Sequence, residues 1–434
     1  MPEYAPGLPK KYRMGNLSDL PTDTLLTLIR QVHNARRAGK HTDLRIGSPS
    51  GMFSWAVPKD LPTAPGEKRL AIRQPLHTWA YNQFEGKIPS GYGAGTVTKA
   101  EESPVVIVKN TPNHIQFTRG NTKDAPLYDM IQTGNGNWLI SMRKPDEPPV
   151  VKVIKKEHFK AIPLERVADL IDAGASVTPK IDGAGMRLYL GDKGISAWGI
   201  RPNKEGGHPS YTDVIGSLRG VKVPDELKGT ILRGELYGMK NGKPIHPTEL
   251  TSILNSTLTN AIDKKQKNGI NLLIAALAVN KNGVDDYTAD VKSITDKLGL
   301  PFVHSVPAYT GEAAKKLVAA IKAGKYPLTR EGVVIHQPGK RPLKSKVLSD
   351  YDVLIRDIFK ADTDRGDMAG GFTYSYPDSD EIVGRVGTGF TDEMRKDMWQ
   401  HPENYIGQTA RVHSQEQLQS GALRAPGFLA LKAD

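Results

Sequence analysis

Apolar positions change their period several times along the chain. Over Leu17–Gly39, Leu25, Leu26, Leu28, Ile29 and Val32 follow Thr22–Asp23, and an apolar run behind a capping pair predicts a helix. From His41 to Lys144 short apolar runs are broken by glycine and proline, as at Gly47–Gly51 and Gly86–Gly95, which predicts strands. Lys144–Pro149 (Lys-Pro-Asp-Glu-Pro-Pro) is polar and helix-breaking, so a domain boundary is placed there. A helix at Leu164–Ala173 precedes apolar runs at Ala175–Thr178, Met186–Leu190 and Ile195–Trp198, the last two joined through Gly191–Gly194 as a hairpin, with a loop at Lys180–Gly185. Helical stretches near Thr248–Lys267 and Val291–Leu298 alternate with strands such as Leu272–Val279 and Gly332–His336. From about Asp350 short strands and turns suit a small β-barrel. There is no repeat of fixed period and no low-complexity tract.

Composition narrows the class. The chain has 434 residues, with 59 Lys+Arg against 47 Asp+Glu and a net charge of +12. Its pI is near 9.4. This length suggests about three domains. Apolar residues at 38% and charged residues at 24% exclude wholesale disorder. No run approaches the roughly 18 apolar residues of a membrane helix. Met1–Lys11 is proline-rich without an apolar core, so it does not read as a secretory signal, and a cytoplasmic location (in a prokaryote or a virus's host cell) is expected. The absence of cysteine removes disulfides, thiolate catalysis and Cys-based zinc sites. The basic balance points to a polyanionic partner such as nucleic acid. At 7% aromatic, a stacking platform for single strands is not indicated; Trp138 and Trp399 read as packing residues, and His208, His246 and His304 show no ligand spacing.

A constellation runs through the middle of the chain. Lys180-Ile-Asp-Gly183 is followed by Arg201 in Ser-Ala-Trp-Gly-Ile-Arg, Glu235 in Leu-Arg-Gly-Glu-Leu, Glu331 in Arg-Glu-Gly-Val-Val-Ile, and Lys344 and Lys346 in Leu-Lys-Ser-Lys. A lysine amine attacks phosphorus only when deprotonated, and partial burial beside Lys344 and Lys346 would favour that form. Glu235 and Glu331 are oxygen donors suited to ribose hydroxyls or Mg²⁺.

In this order the motifs resemble the covalent nucleotidyltransferases, specifically the ATP-dependent DNA ligases. Val383-Gly-Arg-Val-Gly-Thr-Gly-Phe390, Tyr405-Ile-Gly407 and Leu423-Arg-Ala-Pro-Gly-Phe428 resemble the oligonucleotide-binding barrel appended to those enzymes. The resemblance covers roughly Leu164 to the C-terminus. It implies ATP as cofactor, with Lys180 adenylated, Asp182 and Arg201 orienting the nucleotide and the DNA 5′-phosphate, Glu235 on ribose, Glu331 serving Mg²⁺, and Lys344 and Lys346 in the nucleotide site. Lys432 takes the place of the family's terminal basic motif, which handles pyrophosphate. The family's arginine two residues beyond Lys-x-Asp-Gly is Gly185 here, and Arg187 is the nearest candidate for its role. Leu272–Val279 lacks the acidic and aromatic residues common at that place.

A second constellation precedes it: His33, His41-Thr-Asp-Leu-Arg45, Trp55-Ala-Val-Pro-Lys59, Lys68-Arg69, His77, Tyr81 and Phe84-Glu-Gly-Lys-Ile-Pro. His41, Asp43 and Arg45 alternate along an apparent strand and so share a face. Two imidazoles and a carboxylate suit a divalent transition metal, while Arg45, Lys59 and Arg69 suit a phosphate. No chemistry is assigned to the glycines of Gly91–Gly95. Across about Gln31–Lys144 the chain resembles the 3′-phosphoesterase domain of bacterial end-joining ligases. That implies Mn²⁺ on His33, His41 and Asp43, and phosphate near Arg45, Lys59, Arg69, His77 and Tyr81. Two readings stand side by side, a working end-trimming site or an accessory DNA grip.

The expectation is a multidomain α+β protein: a β-rich phosphoesterase-like, DNA-binding domain over 1–148, a nucleotidyltransferase (adenylation) domain of ATP-grasp-like antiparallel sheets plus helices over 149–347, and an OB-fold β-barrel over 348–434. Its expected function is sealing nicked double-stranded DNA in repair or replication, as a monomer with no membrane partner. The alternatives are an RNA ligase, a capping-type nucleotidyltransferase, or a catalytically inactive DNA-end-binding protein.

Overall fold

The computed structural model describes residues 14–91, 93–134, 136–144, 159–202, 207–216, 218–281, 283–362 and 367–432. They fall into two compact units, one drawn from Met1–Glu157 and Asp182–Val306, the other from His158–Ile181 and Pro307–Asp434. The segment Met1–Lys11 and most of the boundary at Lys144–Pro149 lie outside the described residues.

The first unit begins with nine strands: β1 (Leu25–Ala35), β2 (Gly39–Ser48), β3 (Gly51–Val57), β4 (Lys68–His77), β5 (Gly86–Ile88), β6 (Gly95–Thr111), β7 (His114–Arg119), β8 (Leu127–Gly134) and β9 (Asn137–Met142). Eight of them close into an antiparallel barrel in the order β1-β2-β3-β4-β9-β8-β7-β6, with β6 returning to β1, while β5 lies on β6. Leu28, Ile46, Trp55, Ile107, Phe117, Met130 and Trp138 fill it.

The helix expected over Leu17–Gly39 is not there. A single 3₁₀ turn, Leu17–Asp19, precedes strand β1. Leu26 and Leu28 point into the barrel. Leu25, on the outer face, packs beside Val106, Val108 and Ile262. A strand with apolar residues on both faces loses its period of two and imitates a helix in sequence.

Next in the chain are β10 (Lys160–Ala161) and β11 (Ser176–Pro179), which belong to the second unit. The first unit resumes with β12 (Ala184–Gly191), β13 (Gly194–Gly199), β14 (Ile231–Lys240), β15 (Lys243–Pro244), β16 (Asn271–Lys281), β17 (Val284–Asp286) and β18 (Val303–Ser305). They make one sheet in the order β13-β12-β14-β16-β17, with β15 on β14 and β18 parallel to β16. Helices Pro247–Leu254, Leu258–Asn268 and Val291–Leu298 accompany it. The helical stretch expected at Thr248–Lys267 is thus two helices, because Thr257 accepts the Asn260 N–H and starts a new one. The barrel rests on the second of these: Lys265 Nζ lies 3.0 and 2.9 Å from the two carboxylate oxygens of Asp23 and donates to Val214 O at 2.8 Å.

The second unit adds β19 (Gly332–His336), β20 (Leu343–Lys346), β21 (Ser349–Lys360), β22 (Ala369–Ser375), β23 (Gly384–Val386), β24 (Thr409–Ser414) and β25 (Gly427–Leu431). One sheet runs β10-β20-β19-β11. Helices Val167–Asp172 and Gly311–Lys322 bury Val167, Ile171, Leu317 and Ile321 with Val177, Val333 and Ile335 of that sheet. The other sheet runs β23-β22-β21-β24-β25. It curls on itself, since the Phe428 N–H donates to Thr388 O just beyond β23 at 2.9 Å. Its core holds Ile355, Phe372, Tyr374, Val412 and, from helix Asp392–Gln400, Met398. Among the described residues no helix is long and apolar enough to cross a membrane.

Candidate functional site

Three groups of polar side chains stand out, one in the second unit and two in the first. In the second unit, backbone bonds fix Lys180 before its side chain is considered. Its N–H donates to Gly332 O at 2.9 Å. Its carbonyl accepts from Thr329 Oγ1 at 2.6 Å, and the same hydroxyl accepts the Glu331 N–H at 3.0 Å. Thr329 therefore ties together the two residues whose side chains meet: Lys180 Nζ donates to Glu331 Oε2 at 2.5 Å. Lys346 Nζ stands 3.3 Å from the other oxygen, Oε1.

Pairing of β19 with β20 delivers Lys346, because Gly332 and Lys346 are opposite one another. Gly332 has φ +142°, and a Cβ there would lie 2.0 Å from Ser345 O, so only glycine allows this closure. Lys344 shares the face of Lys346. Burial first, then the charges of Lys346 and Lys180, hold its amine below the ordinary lysine range. Glu331, 8% exposed, is a buried carboxylate facing two ammonium groups. Lys432 is elsewhere, paired with Asp352 at 2.5 Å.

In the first unit, Gly185 and Arg187 of β12 face Glu235 and Arg233 of β14 in register. These four positions share one side of the sheet. Arg187 NH2 lies 3.7 Å from Asp285 Oδ2 on β17, and Arg233 NH2 lies 3.6 Å from Glu235 Oε2. Burial lowers the Arg187 pKa, Asp285 opposes that, and Arg233 adds to it. Asp182 is half-buried and Arg201 exposed, the latter close enough to Tyr211 to counter the rise that burial gives that phenol.

The barrel carries the third group on the outer face of β1 and β2, where His33 lies opposite His41 and Gln31 opposite Asp43. His33 Nδ1 is 3.8 Å from Asp43 Oδ2, and His41 Nε2 is 3.5 Å from Asp43 Oδ1. The ligand atoms of the three residues all lie within 4.8 Å of one another. Each remaining ring nitrogen bonds a backbone carbonyl: His33 Nε2 to Gly93 O and His41 Nδ1 to Gly39 O, both at 3.0 Å. A carbonyl only accepts, so both protons are placed there, and the lone pairs of both rings are left facing Asp43. This donor set fits a divalent transition metal. Burial, then His41 and Arg45, lower the His33 pKa, against Asp43 and the Gly93 bond, which favours the neutral imidazole that a metal requires.

Arg45, fully buried, donates to Asp43 Oδ2 at 2.9 Å and to Gln31 Oε1. Its guanidinium stands 5.0 Å from the Tyr81 ring, which lies 5.0 Å from the ring of His77. Burial, with Arg45 adding to it, pushes His77 down to about 3.

Not every expected residue arrives at these groups. Arg69 lies on β4 on the inward face with the core residue Ala71, pairs with Glu67 at 3.4 Å, and is turned from the outer face that carries Asp43. Lys59 is exposed on the segment after β3. Of the glycines in Gly91–Gly95, given no chemistry above, Gly93 contributes, since its carbonyl oxygen orients His33. Four residues were missed. Gln31, buried, links Arg45 to the carbonyls of Asn82 and Phe84 (3.1 and 2.9 Å). Its two-residue spacing from His33 would have marked it had β1 been read as a strand. The same spacing relates Arg233 to Glu235 and Thr329 to Glu331. Asp285 carried no local signal.

Comparisons with known proteins bear on these groups. Residues 31–120 match the profile of the DNA Ligase D 3′-phosphoesterase domain. The multifunctional non-homologous end joining protein LigD of Mycolicibacterium smegmatis is 26% identical over 391 residues, 84% of this chain and 48% of that protein. LigD of Mycobacterium bovis is 47% identical over 124 residues, 27% of this chain and 16% of that protein. A solved structure from work on Lig E DNA ligases aligns with TM-score 0.42 and 15% identity, over 59% of this chain and 92% of that one. The chain spans about half the length of the first of these relatives and less of the second. Over most of its length the chain is similar to a LigD protein, and its residues 31–120 are similar to the LigD 3′-phosphoesterase domain.

Proposed function

We propose that this relative of the LigD end-joining proteins is an ATP-dependent DNA ligase that seals nicks in duplex DNA, with an N-terminal module that trims 3′ ends. One observation carries the reading: Lys180 is held by its backbone and bound to a buried glutamate, with Lys346 on the same carboxylate and Lys344 beside it.

In this reading the neutral Lys180 amine attacks the α-phosphorus of ATP. A P–N bond forms, the α–β P–O bond breaks, pyrophosphate leaves, and the amine gives up a proton for which Glu331 is the nearest acceptor. An oxygen of a DNA 5′-phosphate then displaces lysine from AMP, and the 3′-hydroxyl displaces AMP to make the phosphodiester. Such chemistry asks chiefly for positioning and charge neutralisation. Lys344 and Lys346 serve the phosphates, Glu235 the ribose, and Asp182, Arg187 and Arg201 the nucleotide and the DNA end.

Both oxygens of Glu331 face ammonium groups, so this carboxylate does not fit a resident Mg²⁺, and Mg²⁺ is read as entering with ATP. In the barrel, His33, His41 and Asp43 would hold Mn²⁺, which supplies Lewis acidity toward a phosphate ester. Arg45 would face the phosphate, with His77 and Tyr81 beside it. The same reading keeps the three-part division at 148/149 and 347/348, an OB-fold for the last part, a monomer, and work in the cytoplasm.

The test is incubation with ATP and Mg²⁺, then with a nicked duplex ending in a 3′-hydroxyl or a 3′-phosphate. A mass gain of one AMP, lost on adding the nick, is expected. No adduct with ATP or GTP would leave a DNA-end-binding protein, and sealing of nicked RNA alone would make it an RNA ligase.

A further inference from the structure

We propose that Arg233 is the phosphate-binding guanidinium of the β12–β14 face, supplied from β14 across the space above Gly185. The proposal deepens the ligase reading and rests on it.

Gly185 lies opposite Glu235, and Arg187 opposite Arg233. The Arg233 guanidinium turns its NH1 and NH2 end toward the glycine: a Cβ at position 185 would meet NH2 at 3.1 Å, NH1 at 3.4 Å and Cζ at 3.6 Å. Backbone carbonyls anchor one edge, as NH1 donates to Gly234 O and, at 3.4 Å, to Met186 O. Among the described residues the NH2 and Nε edge makes no hydrogen bond, only the 3.6 Å approach of NH2 to Glu235. The side chain keeps 20% of its surface exposed.

Arg187 is the less available of the two guanidiniums, since it is the more buried and faces Asp285 at 3.7 Å. An anchored, partly solvated guanidinium with one donor edge left over matches the oxygens of a phosphate, which accept in pairs. The fork is already ordered, so little freedom is lost when an anion arrives. Gly185 is what makes the arrangement possible, because any side chain there would compete for the same volume. Two phosphates are chemically equivalent ligands for this edge, that of the nucleotide and the 5′-phosphate of the DNA end.

Binding to the full chain separates them without requiring turnover. The probes are ATP, a nicked duplex with a 5′-phosphate, and the same duplex with a 5′-hydroxyl. Arg233→Leu is expected to weaken either ATP or the 5′-phosphate duplex about ten- to hundredfold, leaving the 5′-hydroxyl duplex unchanged. Whichever probe weakens identifies the phosphate. Arg233→Lys, which keeps the charge but not the fork, is expected to recover part of the loss and serves if the leucine variant folds poorly. Moving the group, with Gly185→Arg in the Arg233→Leu background, is expected to restore binding. Unchanged affinity for both phosphate probes in folded Arg233→Leu, or no restoration by the relocated arginine, would overturn the proposal. The AMP adduct of the wild type, measured separately, reports on the underlying ligase reading.

Discussion

Lys180 Nζ and Glu331 Oε2 lie 2.5 Å apart although 151 residues separate them in the chain. Glu331 also faces Lys346, so one buried carboxylate compensates two ammonium groups. Lys180→Ala is expected to abolish both the AMP adduct and nick sealing, read by intact mass and gel assay. Glu331→Gln, which keeps the shape but not the charge, is expected to slow adduct formation by about a hundredfold or more. An adduct persisting in Lys180→Ala would mean that another lysine is the acceptor.

Gly332 sets the spacing of that pair. With φ +142° and Ser345 O 2.0 Å from any added Cβ, Gly332→Ala must push β20 from β19 and take Lys346 with it. Adenylation is expected to fall more steeply than in Lys346→Ala, because both lysines and Thr329 lose register. Equal rates in the two variants would count against this.

On the barrel, His41→Ala removes a nitrogen whose lone pair faces Asp43. Mn²⁺ binding, followed by electron paramagnetic resonance, is expected to weaken by tenfold or more. Release of phosphate from a 3′-phosphate end is expected to stop while sealing of a 3′-hydroxyl nick continues. If the wild type releases no phosphate, the module only grips DNA.

His77 makes the barrel sensitive to acid. Folded, it stays neutral down to about 3, mainly through burial, whereas an unfolded histidine takes its proton near pH 6.5. Between these values the unfolded chain binds the extra proton, so stability rises with pH and is lost on acidification. The slope from this group is at most about 1.4 kcal/mol per pH unit. Urea titrations at pH 7 and pH 5, read by hydrogen exchange on β2 and β3, should show the drop, and His77→Phe should flatten it.

Lys265 is the buried member of its pair with Asp23, 7% exposed in its side chain against 30%. Asp23→Asn leaves that ammonium without its counter-charge, and a loss of about 3 kcal/mol in the first unit is expected. Asp23→Ala should cost about 1 kcal/mol more, since residue 23 has φ +53°, a conformation aspartate and asparagine tolerate better. Denaturant midpoints of the two variants give both numbers.

Much of this protein was legible in its sequence wherever chemistry and local spacing coincide. Lys180, Glu331, Lys344 and Lys346 stood out because charged residues at the ends of short apolar runs follow an order that resembles the DNA ligases, and His41, Asp43 and Arg45 because a strand projects alternate residues to one side. Strands β12, β13 and β16 of the first unit and the short strands at the C-terminal end were likewise anticipated from turn residues and short apolar runs. What local pattern could not reveal depended on what covers each face. Strand β1 read as a helix because its outer face is packed against other strands and a helix, and period alone cannot report such cover. Arg69 and Gln31 exchanged importance for the same reason: only the closed barrel decides which side of a strand is inside. Arg233 gained its place from the empty volume above Gly185, a property of two strands in register. Residue types and their order supplied the chemistry that the proposed function uses, while packing between distant segments decided which side chains meet, since a contact across 151 residues leaves no trace in local spacing.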